Sequence, residues 1–171
     1  MKVFRIVMWF AVLILFVGLF LPQDYRLMRS QTILATPQSV HQLVGDLNQW
    51  PRWSPWLELE PSVQVTLGNQ HIGVGASQHW TDDSGGGRLS FIASSPTTGI
   101  IYNLWFGDDK MPAISHLNYI VLSSQMVRIE WTLEGEVQIP IIGFYLAQAM
   151  DMLIGPAFEL GLTNLKREVE N

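Results

Sequence analysis

Residues 50–56 read Trp-Pro-Arg-Trp-Ser-Pro-Trp, so three indoles must be housed by a segment that cannot be one continuous helix. Each indole is too large and apolar to leave in water without a packing role. Pro51 and Pro55 each remove a backbone donor and clash with the preceding helical turn. Any fold for this chain has to bend sharply here and give Trp50, Trp53 and Trp56 a core or a cavity wall; a stiff aromatic flap is the expected form. Upstream, Thr36 stands as a helix N-cap with Pro37 at the first helical position. Val40, Leu43, Val44 and Leu47 then recur as one apolar stripe, so a short amphipathic helix leads into the run.

Beyond residue 62 the hydrophobic period becomes two and turn signals recur, the pattern of an antiparallel meander. Strands are expected over 63–67, 75–81, 88–93, 99–106, 114–122 and 126–135, after a first strand over 29–35. Asp82-Asp83-Ser84-Gly85-Gly86-Gly87 and Gly107-Asp108-Asp109-Lys110 supply turns that tolerate positive φ. In the last strand Val127, Ile129, Trp131 and Leu133 alternate with Arg128, Glu130, Thr132 and Glu134, giving one buried face and one wet face. The strand before it depends on the connecting turn. A two-residue Ser124-Gln125 turn turns His116 and Asn118 inward, and a three-residue turn places Leu117, Tyr119 and Val121 there. The apolar set is expected, because burying His and Asn without partners costs about 2–7 kcal/mol for each polar group. Helical periodicity returns over 141–169, with Ile142, Leu146, Met150 and Leu153 on one stripe and Phe158, Leu162, Leu165 and Val169 on another. Gly155-Pro156 is expected to kink or divide that helix.

The run from Ile6 to Leu21 holds 16 uncharged apolar residues behind Lys2 and Arg5. It is slightly short of the ~20 residues of a helical span. A single transmembrane anchor over residues 1–24 is expected, and a cleaved signal peptide is the competing reading. The bulky residues after Gly18 offer no small-x-small cleavage site. Lys2 and Arg5 would stay cytoplasmic, placing residues 25–171 on the periplasmic side of a bacterial-type inner membrane; Arg26 and Arg29 oppose that orientation. With 171 residues and 48% hydrophobic composition, the chain has room for one domain behind such an anchor. Past residue 30 it has six basic residues against fourteen acidic ones, a balance unsuited to nucleic acid or anionic headgroups. It has no cysteine, hence no disulfide, thiolate metal site or cysteine nucleophile.

Four stretches together, Ala35 to Val40, Asp46 to Trp56, Gly73 to Gly75 and Phe158 to Lys166, resemble the SRPBCC/START-like superfamily in its polyketide cyclase/dehydrase and lipid-transport branch. The likeness spans about residues 28–170, and the Trp-Pro run is its most specific part. It implies an α+β helix-grip (START-like) fold, a curved antiparallel sheet around a long C-terminal helix. It also implies an apolar cavity between them for a lipid, sterol or polyketide. Some relatives cyclise or dehydrate their ligands, but the superfamily shares no catalytic motif and the resemblance implies no cofactor.

The expected cavity wall combines Trp53, Trp56, Trp80, Tyr102, Leu104 and Phe106 with Tyr119, Ile129 and Trp131 from the sheet side. The C-terminal helix would add Leu146, Met150, Leu153 and Phe158. A filled aromatic core is the competing reading of the same residues. Met150 and Met152 stand about 200° apart around a helix, so only Met150 shares the Leu146 stripe. His41, His71, His79 and His116 lie on different expected elements without metal-ligand spacing, and no metal site is expected. His116 and Asp151 are the candidate proton-transfer groups, set against plain surface positions; Gln148 and Asp151 equally fit the wet seam of the helix. His79 is expected in solvent and Trp80 inward. The pairs Asp82-Asp83 and Asp108-Asp109 read as solvated turn tips. Gly73-x-Gly75 and Gly85-Gly86-Gly87 read as turns and not phosphate cradles, and no Gly-x-Ser-x-Gly elbow occurs.

The function expected from the sequence is a membrane-anchored, non-enzymatic binding module for a lipid or other hydrophobic small molecule. A cyclase/dehydratase using the same cavity and an interaction domain docking through the Trp-rich flap are the alternatives.

Overall fold

The computed structural model describes residues 4–6, 8–9, 20–83, 85–107 and 111–171. Seven antiparallel strands form one sheet: β1 (Asp24–Ile33), β2 (Gln64–Leu67), β3 (Ser77–Thr81), β4 (Gly87–Ser95), β5 (Gly99–Phe106), β6 (Met111–Ser123) and β7 (Met126–Glu136). Their spatial order is β1-β7-β6-β5-β4-β3-β2. Helix α1 (Pro37–Val44), a 3-10 turn (Leu47–Arg52) and helix α2 (Trp56–Leu59) carry the chain from the β1 edge to the β2 edge. Helix α3 (Gly143–Glu170) follows β7 and packs chiefly along β1.

All six strands expected beyond residue 62 form. The first strand begins at Asp24 and ends at Ile33, five residues earlier at its start than expected, because buried Tyr25 and Leu27 extend the inward set opposite Gly135 and Leu133. The β6–β7 hairpin resolves the turn question in an unexpected way. Ser124-Gln125 is a two-residue turn with Ser123 opposite Met126, yet a bulge between Val121 and Ser123 shifts the register by one. Leu117 thereby faces Trp131 and Tyr119 faces Ile129 on the inner side. The bulge absorbs the extra residue, so burial and not turn length sets the register. Val121, near the hairpin end, stays exposed.

The Thr36 side chain accepts a bond from the Ser39 N–H at 3.2 Å, starting α1 as expected, and Val40, Leu43, Val44 and Leu47 are buried. Pro51 and Pro55 separate the three indoles into a 3-10 turn, its cap and α2. The run is not a flap, because Trp50 and Trp53 are 4% and 0% exposed. Their indole N–H groups bond the carbonyls of Val44 at 2.9 Å and Leu43 at 3.2 Å. A helix leaves its last carbonyls without intrahelical donors, so two tryptophans of the run terminate α1 while filling the core.

Helix α3 is not divided at Gly155-Pro156. Pro156 and Met152, whose carbonyl loses its usual partner, both lie on the exposed side. Gly155 leaves room for the Arg29 guanidinium, and Gly161 lets Trp131 and Pro55 approach the helix backbone. Phe158 stacks on Trp131 with centroids 3.9 Å apart, which fixes the helix rotation. Counting back from Phe158 turns Ile154, Met150 and Ala147 towards the core. Ile142 and Leu153, expected inside, are 45% and 57% exposed.

The expected anchor falls mostly on residues outside the described set; Phe4 to Ile6, Met8 and Trp9 are helical. Among the described residues no helix is long and apolar enough to cross a membrane.

Trp53→Ala is expected to lower the unfolding free energy by about 3–5 kcal/mol in urea titrations, because it empties a sealed site and frees the Leu43 carbonyl. Met152→Ala, at a 74% exposed position, should change it by less than about 0.5 kcal/mol. Equal effects of the two would contradict the assignment of Trp53 to the core.

Candidate functional site

The inner face of the sheet divides into three zones along the strands. At its centre the rings close on one another: Trp53 meets Trp131 edge-on at 5.7 Å, Trp50 meets Trp53 at 5.2 Å and Tyr102 at 5.6 Å, and Phe91 lies 5.9 Å from Tyr102. The polar atoms of this plug are satisfied. Trp131 Nε1 donates to the Ser115 hydroxyl at 3.0 Å and the Tyr102 hydroxyl at 3.2 Å, and Ser115 donates to the Thr132 carbonyl at 2.9 Å. Burial pushes the Tyr102 phenol up to about 12. The hollow expected at this level is therefore filled. Trp53, Tyr102, Ile129, Trp131 and Phe158 are sealed core.

At the strand ends beside the β6–β7 hairpin, His41 of α1 bridges to the sheet. Its Nδ1 lies 3.2 Å from the Tyr119 hydroxyl and its Nε2 3.3 Å from the Ser94 hydroxyl, with the ring edge-on to Tyr119. Tyr119, expected to line the cavity, is buried here instead. Burial holds the imidazole below its ordinary value and pushes the Tyr119 phenol far above its own. A nucleophile–base–orienter triad has the same connectivity, but here the three groups clamp a helix onto a sheet.

At the opposite end, the inner face is apolar and half-open. Register places Leu89 opposite Leu104, Leu104 opposite Ala113, and Phe106 opposite Met111 and Gly87; Trp80 also faces Gly87. Trp80 and Phe106 meet edge-on at 6.0 Å. Trp80, Leu104, Phe106 and Met111 are half-buried, as are Trp56 and, on α3, Leu146, Met150 and Ile154. All eight pack against the core on one side and reach solvent on the other.

The asymmetry has a cause in α3. Its second half is tied down: Lys166 donates to the Thr32 carbonyl, Glu170 accepts from the Leu34 N–H at 2.7 Å, and Arg52 pairs with Glu168 at 3.0 Å. Asn164 donates to Glu58 and accepts from Arg167. The first half is held on its β1 side by Arg29, which meets Asp151 at 2.8 Å and Glu159 at 2.7 Å. Those bonds raise the guanidinium above its usual value and hold the Asp151 carboxyl below the carboxylate range.

Neither proton-transfer candidate joins this half-buried apolar group. Asp151 is spent on Arg29 at a largely exposed position, and His116 lies on the outer face opposite Ile101 and Thr132. Leu153 faces solvent, His79 is exposed, and Gln148 lies on the wet side of α3. Asp82 accepts from the Gly86 N–H, as a turn residue does, whereas Asp108 and Asp109 lie outside the described residues. Gly73 and Gly75 have φ of 73° and 89° and serve a turn. An open concavity of about 770 Å³ occupies the outer face around Trp105, Pro112 and Ile114. Among its charged lining residues Arg26 pairs with Glu134 at 3.3 Å, and Asp24 and Glu136 leave the rim acidic.

No protein-family model matches the chain, and no curated protein sequence matches it. Solved structures do. The Zhui aromatase/cyclase from a Streptomyces species superimposes with a TM-score of 0.61 at 10% identity, over 86% of this chain and 94% of that one. Norcoclaurine synthase from Thalictrum flavum, in complex with dopamine and hydroxybenzaldehyde, gives 0.60 at 13% identity over 85% and 86%. A protein from Thermobifida fusca gives 0.61 at 18% over 86% and 93%. At these identities the likeness establishes the fold alone: an α+β helix-grip, a curved antiparallel sheet with a long C-terminal helix.

Because folding favours the neutral His41 imidazole, the unfolded chain binds its proton at a higher pH than the native one. Stability from this group is present above about pH 6.5 and falls as pH drops from there towards the lower native value. Urea midpoints should therefore decline between pH 7.5 and 5.5, and His41→Gln should flatten that decline. Identical pH slopes in both proteins would contradict the clamp.

Proposed function

We propose that the protein binds an apolar small molecule or a single lipid chain in the cleft between α3 and the inner face of β3 to β6. One observation carries this reading: the apolar side chains Trp80, Leu104, Phe106 and Met111 on the sheet and Leu146 and Met150 on α3 all pack against the core yet stay half-exposed. Leaving such a surface wet is unfavourable by about 25 cal/mol per Å². A ligand covering it would gain that energy with little need for polar contacts. Met111 and Met150 give the wall the adaptability to accept more than one shape.

The structural likeness to an aromatase/cyclase and to norcoclaurine synthase supports membership of the polyketide cyclase/dehydrase branch. It also keeps a cyclising activity as the second reading, in which the cleft folds a reactive chain. We favour binding over turnover, because His116 and Asp151 stand away from the cleft. Docking through the Trp-rich run is disfavoured by the burial of Trp50 and Trp53. We further propose that residues 6–21 tether the domain, 25–171, to a membrane, on the charge-free run that follows Lys2 and Arg5.

A dansyl-labelled fatty acid should bind the protein saturably. Leu104→Arg, which places a charge in the wall, and Met150→Trp, which fills it, should each weaken binding by about tenfold or more with unchanged circular dichroism. Absence of saturable uptake by the wild-type protein, or uptake indifferent to both substitutions, would count against the cleft.

A further inference from the structure

The first half of α3 is apolar on its outer side as well as its inner one. Between Val137 and Phe158 the lone charged residue is Asp151, and Arg29 neutralises it. Ile142, Met152 and Leu153 are 45%, 74% and 57% exposed, and helical geometry sets them with Ala149 and Pro156 on one outward stripe about 21 Å long. A helix apolar on both sides is suited to burial on both sides. Just before it Ile141, 43% exposed, has a φ of 73°, a conformation that a β-branched residue rarely adopts.

The register shows where this stripe lies. Asp24, at the start of β1, faces Glu136 at the end of β7. The Val137 N–H bonds the Gln23 carbonyl at 3.0 Å, and the Gln23 side chain occupies the space beside Gly143. Gln23, two residues past the charge-free run, is thus held against the start of α3, and Phe20 is 76% exposed. Met111 and Phe106 lie at the same end of the sheet. The tether exit, the outward stripe and the open end of the cleft share one pole of the molecule.

We infer that the first half of α3 docks on a lipid bilayer through its outward apolar face, setting the mouth of the cleft against the membrane. This rests on residues 6–21 being a tether and on the cleft being the ligand site. The interaction is an apolar, in-plane insertion of the kind interfacial helices make. The acidic surface elsewhere makes a zwitterionic bilayer the fitting partner. The ligand class follows: a molecule already dissolved in the membrane, which reaches the cleft without crossing water.

The chain has no cysteine, so single sites can be labelled cleanly in the full-length protein. Ile142→Cys, Met152→Cys and the control His79→Cys are coupled to an environment-sensitive nitrobenzoxadiazole dye and mixed with phosphatidylcholine vesicles, with and without doxyl-labelled lipid. Docking predicts that labels at 142 and 152 lose about half their emission to the doxyl lipid, while the label at 79 keeps its emission. Flotation of the same samples reads the tether separately. Protein that floats with unquenched labels at 142 and 152 retains the tether and overturns the docking. Protein that neither floats nor is quenched overturns both. Shielding that rises with protein concentration and ignores lipid assigns the stripe to a second copy and also overturns the proposal.

Discussion

Two indole N–H groups, from Trp50 and Trp53, bond the last carbonyls of α1 and in doing so lock the helix, the 3-10 turn and the sheet into one arrangement. The rest of the interior follows from where those rings then lie. Trp53 is positioned to meet Trp131, Trp131 to stack on Phe158, and Phe158 to fix the rotation of α3. That rotation in turn decides which residues of the first half of α3 look inward. A run of residues with poor helix propensity thereby organises the fold, because it satisfies backbone acceptors and fills the core at once.

The same arrangement explains why the inner face is sealed in one place and open in another. Aromatic rings supply enough volume to close the centre, and the C-terminal half of α3 is held by ion pairs and side chain to backbone bonds. Towards the N-terminal half, the holding contacts lie on the β1 side through Arg29. Away from β1, Trp80, Leu104 and Phe106 on β3 to β5 and Leu146 and Met150 on α3 stay half-buried. The start of β1 lies at the same end of the sheet as Phe106 and Met111.

Much of the fold was legible because it depends on local period. Alternation along 126–135, the Thr36-Pro37 cap and the glycine-rich turns located their elements to within a few residues. The β6 register was legible only through burial, since the bulge at Leu122 leaves no sign that turn length alone could reveal. The site was less legible. Trp53, Tyr102 and Trp131 have the same composition whether they wall a cavity or fill it, and only packing distances separate the two. Of the expected stripe Ile142, Leu146, Met150 and Leu153, the middle two pack against the core while Ile142 and Leu153 are exposed. The spacing Ala147, Met150, Ile154, Phe158 was present but is matched by an equally apolar outer stripe. His41, Ser94 and Tyr119 are 53 and 78 positions apart, so no local pattern joins them. Asp151 found its partner in Arg29, on an element whose inward set began earlier than its apolar residues suggested.

The proposed binding requires a sealed aromatic centre beside an apolar end open to a ligand. Indole N–H resonances in a 1H–15N spectrum, recorded during titration with dodecanoate, test this directly, because tryptophans sit in both zones. Trp56 and Trp80 should shift progressively and saturably, while Trp50, Trp53 and Trp131, whose N–H groups are already bonded, and Trp105 on the outer face hold their positions. Shifts concentrated on Trp50, Trp53 and Trp131, or no saturable shift at Trp56 and Trp80, would contradict it.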